Sequence, residues 1–262
     1  MQNNIDLIPY PKFEDVFVED TDPKARYVFQ PLVTIKIKNY NGIENKTFHI
    51  ISVWDTGDYE RDYFGNFRVD VNEISFNIIG DKLEYKDDIK FPKITFLEAA
   101  YNIIVEDFEK HKESYLINFE SKSKKIERGG RLILNKIPEF GAFESRYYFE
   151  RITSILLSKY RLEKYGAVNS SFDNNAWYIH QITNGKYSEK ALKEIDFNKI
   201  GKINLVDKLL GKPEFLQNNE YVENTIFIGQ LDEWHYISSS STNTFLFYDP
   251  LNNKQVQIFQ WD

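Results

Sequence analysis

The sequence predicts an α+β protein with mostly antiparallel sheets and two principal helices. Apolar, β-branched and aromatic residues typical of strands concentrate in residues 27–79 and return after residue 222, and the helical periodicities fall between these regions. Because strands and helices are partly segregated instead of strictly alternating, a doubly wound parallel sheet is disfavoured.

The first strand-rich region contains a predicted hairpin. Segment 27–38 carries the alternating residues Val33, Ile35 and Ile37, and Asn41-Gly42 is a turn-forming pair that separates it from segment 47–54. Other strands are predicted at 67–71, 74–79, 115–119, 131–137, 177–182, 225–231, 244–248 and 255–261.

Two helices are predicted, at about 95–112 and 144–165, with a shorter one at 188–195. Thr95 and Glu98 form a capping box at the start of the first helix, which should fade near residues 111–114. Gly166 is well placed to end the second helix.

The length allows one domain or two. The 262 residues, of which 42% are hydrophobic, suffice for a sizeable core. We expect one α+β domain, 1–262, and the alternative is a division into a strand-rich part, 1–140, and a C-terminal part, 141–262.

The composition narrows the classes of function. The chain has no cysteine, which excludes disulfides, thiolate metal sites and a cysteine nucleophile. A net charge of −7 disfavours nucleic acid and anionic membranes as partners and suits a basic protein. The amino-terminal residues lack the pattern of a signal peptide, and no apolar run is long enough for a membrane span, so a cytoplasmic location is expected.

Catalytic motifs are missing from the sequence. The four histidines, His49, His111, His180 and His235, have no spacing that presents two metal ligands together. The sequence contains no nucleophile elbow, P-loop or dinucleotide fingerprint. We therefore predict no catalytic residue, no metal and no cofactor. In the alternative that the protein is an enzyme, His180 and an acidic residue from elsewhere in the chain are the candidates for an acid–base pair.

Segment 54–70 combines acidic and aromatic side chains and is the candidate binding surface. Aromatic anchors surrounded by acids suit the docking of a basic protein. Two alternatives are a solvated loop whose aromatics fold back into the core, and carboxylates that perform chemistry. The predicted binding residues are Trp54, Asp55, Asp58, Tyr59, Glu60, Asp62 and Tyr63.

The C-terminal part, about residues 205–262, resembles the bacterial YwqG-like family. The resemblance rests on three short elements in order: Leu210, Gly211, Pro213 and Gln217; then Gly229, Gln230, Leu231 and Asp232; then Phe247 and Tyr248. It implies an α+β fold, and some members resemble immunity proteins of bacterial toxin systems in size and acidity. By strand alternation Gln230 and Asp232 share one face, where a polar anchor for the neighbouring loop is expected.

These observations favour a protein that works by binding another macromolecule. The leading hypothesis is an immunity-type protein that neutralises a cognate intracellular bacterial toxin, itself basic, by direct contact. The alternatives are an enzyme acting on a small or carbohydrate substrate through His180 and a carboxylate, and a structural or assembly component of a secretion or phage particle.

Overall fold

The computed structural model confirms the α+β class. It describes residues 4–40, 43–54, 73–86, 95–117, 142–165, 205–217, 224–237 and 240–261. The chain forms two compact units: the first comprises residues 1–94, 205–233 and 241–262, and the second comprises 95–204 and 234–240.

A three-stranded antiparallel sheet in the first unit contains the predicted hairpin. Its strands are β1 (Ile5–Pro9), β2 (Phe29–Tyr40) and β3 (Ile43–Val53), in that order across the sheet. β2 and β3 pair up to Tyr40 and Ile43, so the hairpin is tighter than the strand segments in the sequence indicate. Sequence patterns do not predict β1, because five residues that end in proline give little alternation to detect.

The second sheet of this unit has six antiparallel strands in the order β5-β4-β9-β8-β7-β6. β4, from the first half of the sequence, pairs with β9, from the second half, so this sheet contains residues that are far apart in the sequence. The strands are β4 (Glu73–Ile79), β5 (Lys82–Glu84), β6 (Lys208–Leu209), β7 (Ile226–Asp232), β8 (Thr242–Asp249) and β9 (Lys254–Trp261).

An extended segment, residues 211–217, crosses one face of the six-stranded sheet. Phe215 packs on Phe245 and Phe247 of β8, with ring centroids 5.0 and 6.3 Å apart. Gln230 of β7 binds Glu214 at both its backbone N–H and its carbonyl, at 3.0 and 3.2 Å. Gln230 therefore acts as a polar anchor, and the segment that it holds is 211–217.

The two sheets of the first unit are joined by glutamine side chains. Gln255 forms two hydrogen bonds with the backbone of His49. Its Oε1 accepts from the N–H of His49 at 2.9 Å, and its Nε2 donates to the carbonyl of His49 at 2.5 Å. Gln257 makes the same pair of bonds to Ile51, at 2.8 and 2.7 Å. His49 and Ile51 are buried on the edge of β3 that faces away from β2, so these amides replace the strand that this edge lacks.

Three α-helices lie in the described parts of the chain. They are α1 (Phe13–Val16), α2 (Thr95–Ile117) and α3 (Ala142–Tyr165). The last two confirm the predicted principal helices. They pack on each other through Phe108 and Tyr160, whose ring centroids are 6.4 Å apart, and through an ion pair of Lys164 with Glu113 at 2.8 Å.

Helix α2 is kinked at His111 but continues to Ile117, so the strand predicted at 115–119 is wrong for its first three residues. The His111 ring competes for the carbonyl of Asp107, with Nδ1 3.0 Å from that oxygen, which is a known cause of kinks. Tyr115 then stacks on Phe108 at 5.5 Å and donates to Asp107 Oδ2 at 2.6 Å. These contacts to the preceding turns hold the aromatic residue in a helix.

The segments predicted at 67–71, 131–137, 177–182 and 188–195 lie outside the described residues. Strands predicted at 74–79, 225–231, 244–248 and 255–261 are confirmed as β4, β7, β8 and β9. In the described part of the chain, no helix has the length and apolar character that crossing a membrane requires.

The amide junction between the sheets predicts a specific loss of stability. Gln257→Leu keeps the side-chain volume but leaves the N–H and carbonyl of Ile51 buried without partners, so we expect unfolding to become easier by about 2–4 kcal/mol. Gln217→Ala is the matched control, since Gln217 is exposed and its amide donates to the carbonyl of Trp261 at the protein surface. Urea unfolding of both variants measures the difference, and equal small losses would contradict the structural role of Gln257.

Candidate protein-binding surface

A row of packed phenylalanine rings supports helix α1 in the first unit. Phe13 stacks on Phe17 at 4.5 Å, and Phe17 contacts Phe29 and Phe76 at 5.8 and 5.9 Å. Phe17, Phe29 and Phe76 are almost completely buried. The short helix α1 thus has a rigid apolar base, to which the backbone bond from Val18 N–H to the carbonyl of Leu83 adds.

The next turn is fixed by local polar contacts. A 3-10 segment, Pro23–Tyr27, begins at Asp22, whose carboxylate accepts from the N–H of Lys24 at 2.9 Å. Arg26 donates to Glu14 at 3.0 Å and lies over the ring of Phe13, 5.3 Å from its centroid. The turn is therefore tied back to α1.

Helix α1 and the residues that follow it expose carboxylates to solvent. Residues 14–22 contain five acidic residues and neither lysine nor arginine. Four of the five side chains are exposed: Glu14, Asp15, Glu19 and Asp20. We call these four residues the acidic face. The charge run is visible in the sequence, but only the fold shows that it is rigidly supported.

The predicted binding segment begins next to this turn. Trp54, which follows β3, donates its backbone N–H to the carbonyl of Val28 at 2.9 Å, and Val28 directly follows the 3-10 segment. Trp54 is only 4% exposed, so its ring belongs to the interior, in agreement with the alternative that aromatics of this segment fold back. The other predicted binding residues, Asp55, Asp58, Tyr59, Glu60, Asp62 and Tyr63, lie outside the described residues.

A buried carboxylate fixes the strand end from which the segment departs. Glu233 is 1% exposed and follows β7. Ser52 of β3 donates to one of its oxygens, and Thr244 of β8 donates to the other at 2.9 Å. Glu233 thereby joins a strand of each sheet, and its contact in β3, Ser52, lies two residues before Trp54. No local pattern indicates this role, since Ser52 and Glu233 are 181 positions apart.

His49 has a structural environment. Its Nε2 lies 2.9 Å from the carbonyl of Asp81, which can only accept, so the proton resides on Nε2. Nδ1 therefore accepts from the hydroxyl of Thr34, also at 2.9 Å. Burial is the main cause that lowers the pKa of His49 from 6.5 to about 4, against a smaller raising effect of the Asp81 carbonyl. This ring stays neutral at physiological pH.

The remaining histidines do not assemble into a described catalytic centre. His111 is exposed on α2 beside Asp107, and His235 lies 6.3 Å from the ring of Trp234 in the second unit. His180 lies outside the described parts of the chain. Within those parts, no three histidine, aspartate or glutamate side chains come together as a group able to hold a metal ion.

Comparisons of the chain with family models, with curated proteins and with solved structures gave no match.

The buried carboxylate predicts that its hydroxyl donors matter for stability. Ser52→Ala removes a hydrogen bond to a desolvated carboxylate, so we expect a loss of about 1.5–3 kcal/mol in the free energy of unfolding. Ser75→Ala in β4, where the side chain is only half-buried, should cost less than about 0.5 kcal/mol. Denaturant unfolding of both variants provides the measurement, and similar losses would argue against the role of Glu233 as a junction.

The neutral His49 ring predicts a pH dependence. In the unfolded chain this histidine takes up a proton below its ordinary pKa of 6.5, whereas in the folded protein it stays neutral down to about 4. The unfolded state therefore binds more protons in this interval, and stability falls with decreasing pH by about 1.4 kcal/mol per unit. Stability curves of the wild type and His49→Gln, measured from about pH 7 to about pH 5, isolate this contribution because all other groups are shared. Parallel curves would contradict it.

Proposed function

We propose that this chain is an immunity-type binding protein that neutralises a cognate intracellular bacterial toxin, in the cytoplasm, by direct protein–protein contact. The toxin is expected to be basic. The observation that carries the proposal is the acidic face, which is supported by the stacked rings of Phe13 and Phe17. The turn that follows this face ends at Val28, which binds Trp54, the residue where the acidic and aromatic segment begins.

Charge supports a basic partner. Residues 14–22 bring five acids, flanked by Lys12, Lys24 and Arg26, of which Arg26 pairs with Glu14. Residues 54–70 bring five more acids with two arginines. The second stretch starts at Trp54, whose bond to Val28 places this start beside the turn that follows the first stretch. Concentrated charge of one sign accelerates the association of an oppositely charged protein and discriminates against wrong partners.

Preorganisation supports recognition by this surface. Phe13 stacks on Phe17, Phe17 packs on Phe29 in the interior, and the N–H of Val18 binds the carbonyl of Leu83, so the backbone next to the acidic face is held by contacts that need no partner. A partner then loses less conformational entropy on binding, which favours affinity. Trp54 contributes as a buried anchor of the segment and not as an exposed contact.

The resemblance to the YwqG-like family belongs to the same proposal. Its elements fall on β7, on β8 and on the segment crossing the sheet, where Gln230 has a structural role. The residues that carry the resemblance therefore belong to the scaffold, whereas the proposed recognition surface is the acidic face near the start of the sequence. The enzyme hypothesis depends on His180 and stays a prediction, as does the hypothesis of an assembly component.

Charge reversal on the acidic face tests the proposal. The wild-type protein is first used for affinity capture at low salt, and the affinity of a purified, stoichiometric and basic partner is then measured by calorimetry. We expect the triple variant Asp15→Lys, Glu19→Lys, Asp20→Lys to bind at least about tenfold more weakly, because three attractive charges become repulsive.

A matched control separates local from global charge. Glu106→Lys, Glu109→Lys, Glu163→Lys makes the same change in net charge on exposed acids of α2 and α3, which the proposal does not place in the interface, so we expect it to alter affinity by less than about threefold. Equal losses in the two triple variants, or the absence of any basic partner, would contradict the proposal.

A further inference from the structure

The outer edge of β1 is a strand edge without a described partner. The other strand edges in the described residues have contacts or are very short. Glutamine amides bind the backbone of β3, and the N–H of Val18 binds the carbonyl of Leu83 in β5. β6 has only two residues. β1 has five residues, and β2 is its one neighbour among the described strands.

The pairing register shows which backbone groups point outward. The N–H of Tyr10 binds the carbonyl of Leu32 at 2.7 Å, so Tyr10 and Leu32 form a hydrogen-bonded pair. Because such pairs alternate along an antiparallel ladder, Ile8 and Asp6 are the residues of β1 whose backbone groups bind β2. The N–H and carbonyl groups of Ile5 and Leu7 and the carbonyl of Pro9 therefore face away from the sheet.

This edge is complementary to itself. An antiparallel partner centred on Leu7 exchanges two hydrogen bonds at that residue, and each Ile5 N–H meets the carbonyl of Pro9 of the second copy. Pro9 lacks an N–H, but it lies at the end of the strand, so the missing donor falls at the limit of the pair. The five residues match in length about this centre.

The side chains on the outer face fit the same arrangement. Ile8 is 43% exposed, and Asp6 pairs with Lys38 of β2 at 3.3 Å. In the self-paired strand, each Ile8 lies directly opposite Asp6 of the second copy and diagonal to its Ile8. Pairing thus covers an exposed apolar side chain. The two Asp6 residues lie on the other diagonal, and each keeps its ion pair with Lys38 of its own copy.

Charge selects a second copy over the proposed basic partner at this edge. β1 carries Asp6, and β2 carries Lys36 and Lys38, which gives a net charge of +1 in a chain whose net charge is −7. A basic protein gains no attraction here, whereas two copies bring a total charge of only +2 to the seam, made up of two aspartates and four lysines. We propose that the protein forms a two-fold symmetric dimer through antiparallel pairing of β1 with β1 of a second copy.

Sedimentation velocity of the full chain tests this proposal. A short strand pair is a small interface, so we expect a reversible change from 31.1 kDa to twice that mass, with a dissociation constant of about 100 µM or tighter. A single monomeric species up to about 1 mM would overturn the proposal.

Two substitutions at one position distinguish this arrangement from other dimers. Ile8→Glu and Ile8→Lys remove the same apolar surface, but only the glutamate faces Asp6 of the second copy with like charge, twice per dimer. We expect Ile8→Glu to weaken dimerisation at least about tenfold more than Ile8→Lys. Thermal unfolding confirms that both variants fold, since Ile8 is exposed and makes its strand bonds through the backbone. Equal effects of both substitutions, or none, would overturn the pairing.

Discussion

The open edge of β3 is the constraint on which the first unit depends. This edge is buried, and a buried N–H or carbonyl without a partner costs more than an ordinary hydrogen bond contributes. Gln255 and Gln257 supply two donors and two acceptors at the strand spacing, so side chains of one sheet complete the backbone of the other. The relative position of the two sheets follows from this requirement, because a shift by one residue would direct the amides to the wrong face.

The same solution recurs wherever extended chain meets the six-stranded sheet. Gln230 and Gln260 bind the backbone of the segment 211–217, and Glu233 accepts hydroxyl groups from β3 and β8. Long polar side chains do here what a continuous strand ladder does elsewhere. Such a core is specific as well as stable, since an alternative packing would leave these groups without partners.

Local sequence patterns predicted the elements but not the contacts between them. The alternation of Val33, Ile35 and Ile37 was sufficient for β2, because its period is set by neighbouring residues. In contrast, Gln255 bonds to a residue 206 positions away, and a glutamine within an apolar strand carries no sign of its partner. Trp54 shows the same limit at the candidate site: composition left open whether its ring is a binding anchor or folds back into the core, whereas the bond to Val28 and the burial of the ring depend on the fold.

Charge divides the first unit into surfaces that suit different partners. The acidic face sums carboxylates on a fixed backbone, so its field extends toward a basic protein over about 10 Å at ordinary ionic strength. The edge of β1 carries little net charge. Its backbone N–H and carbonyl groups form hydrogen bonds, which are directional and act only at short distance. The acidic face therefore acts through long-range attraction, whereas the edge of β1 acts through short-range backbone pairing, so the two surfaces select their partners by different interactions.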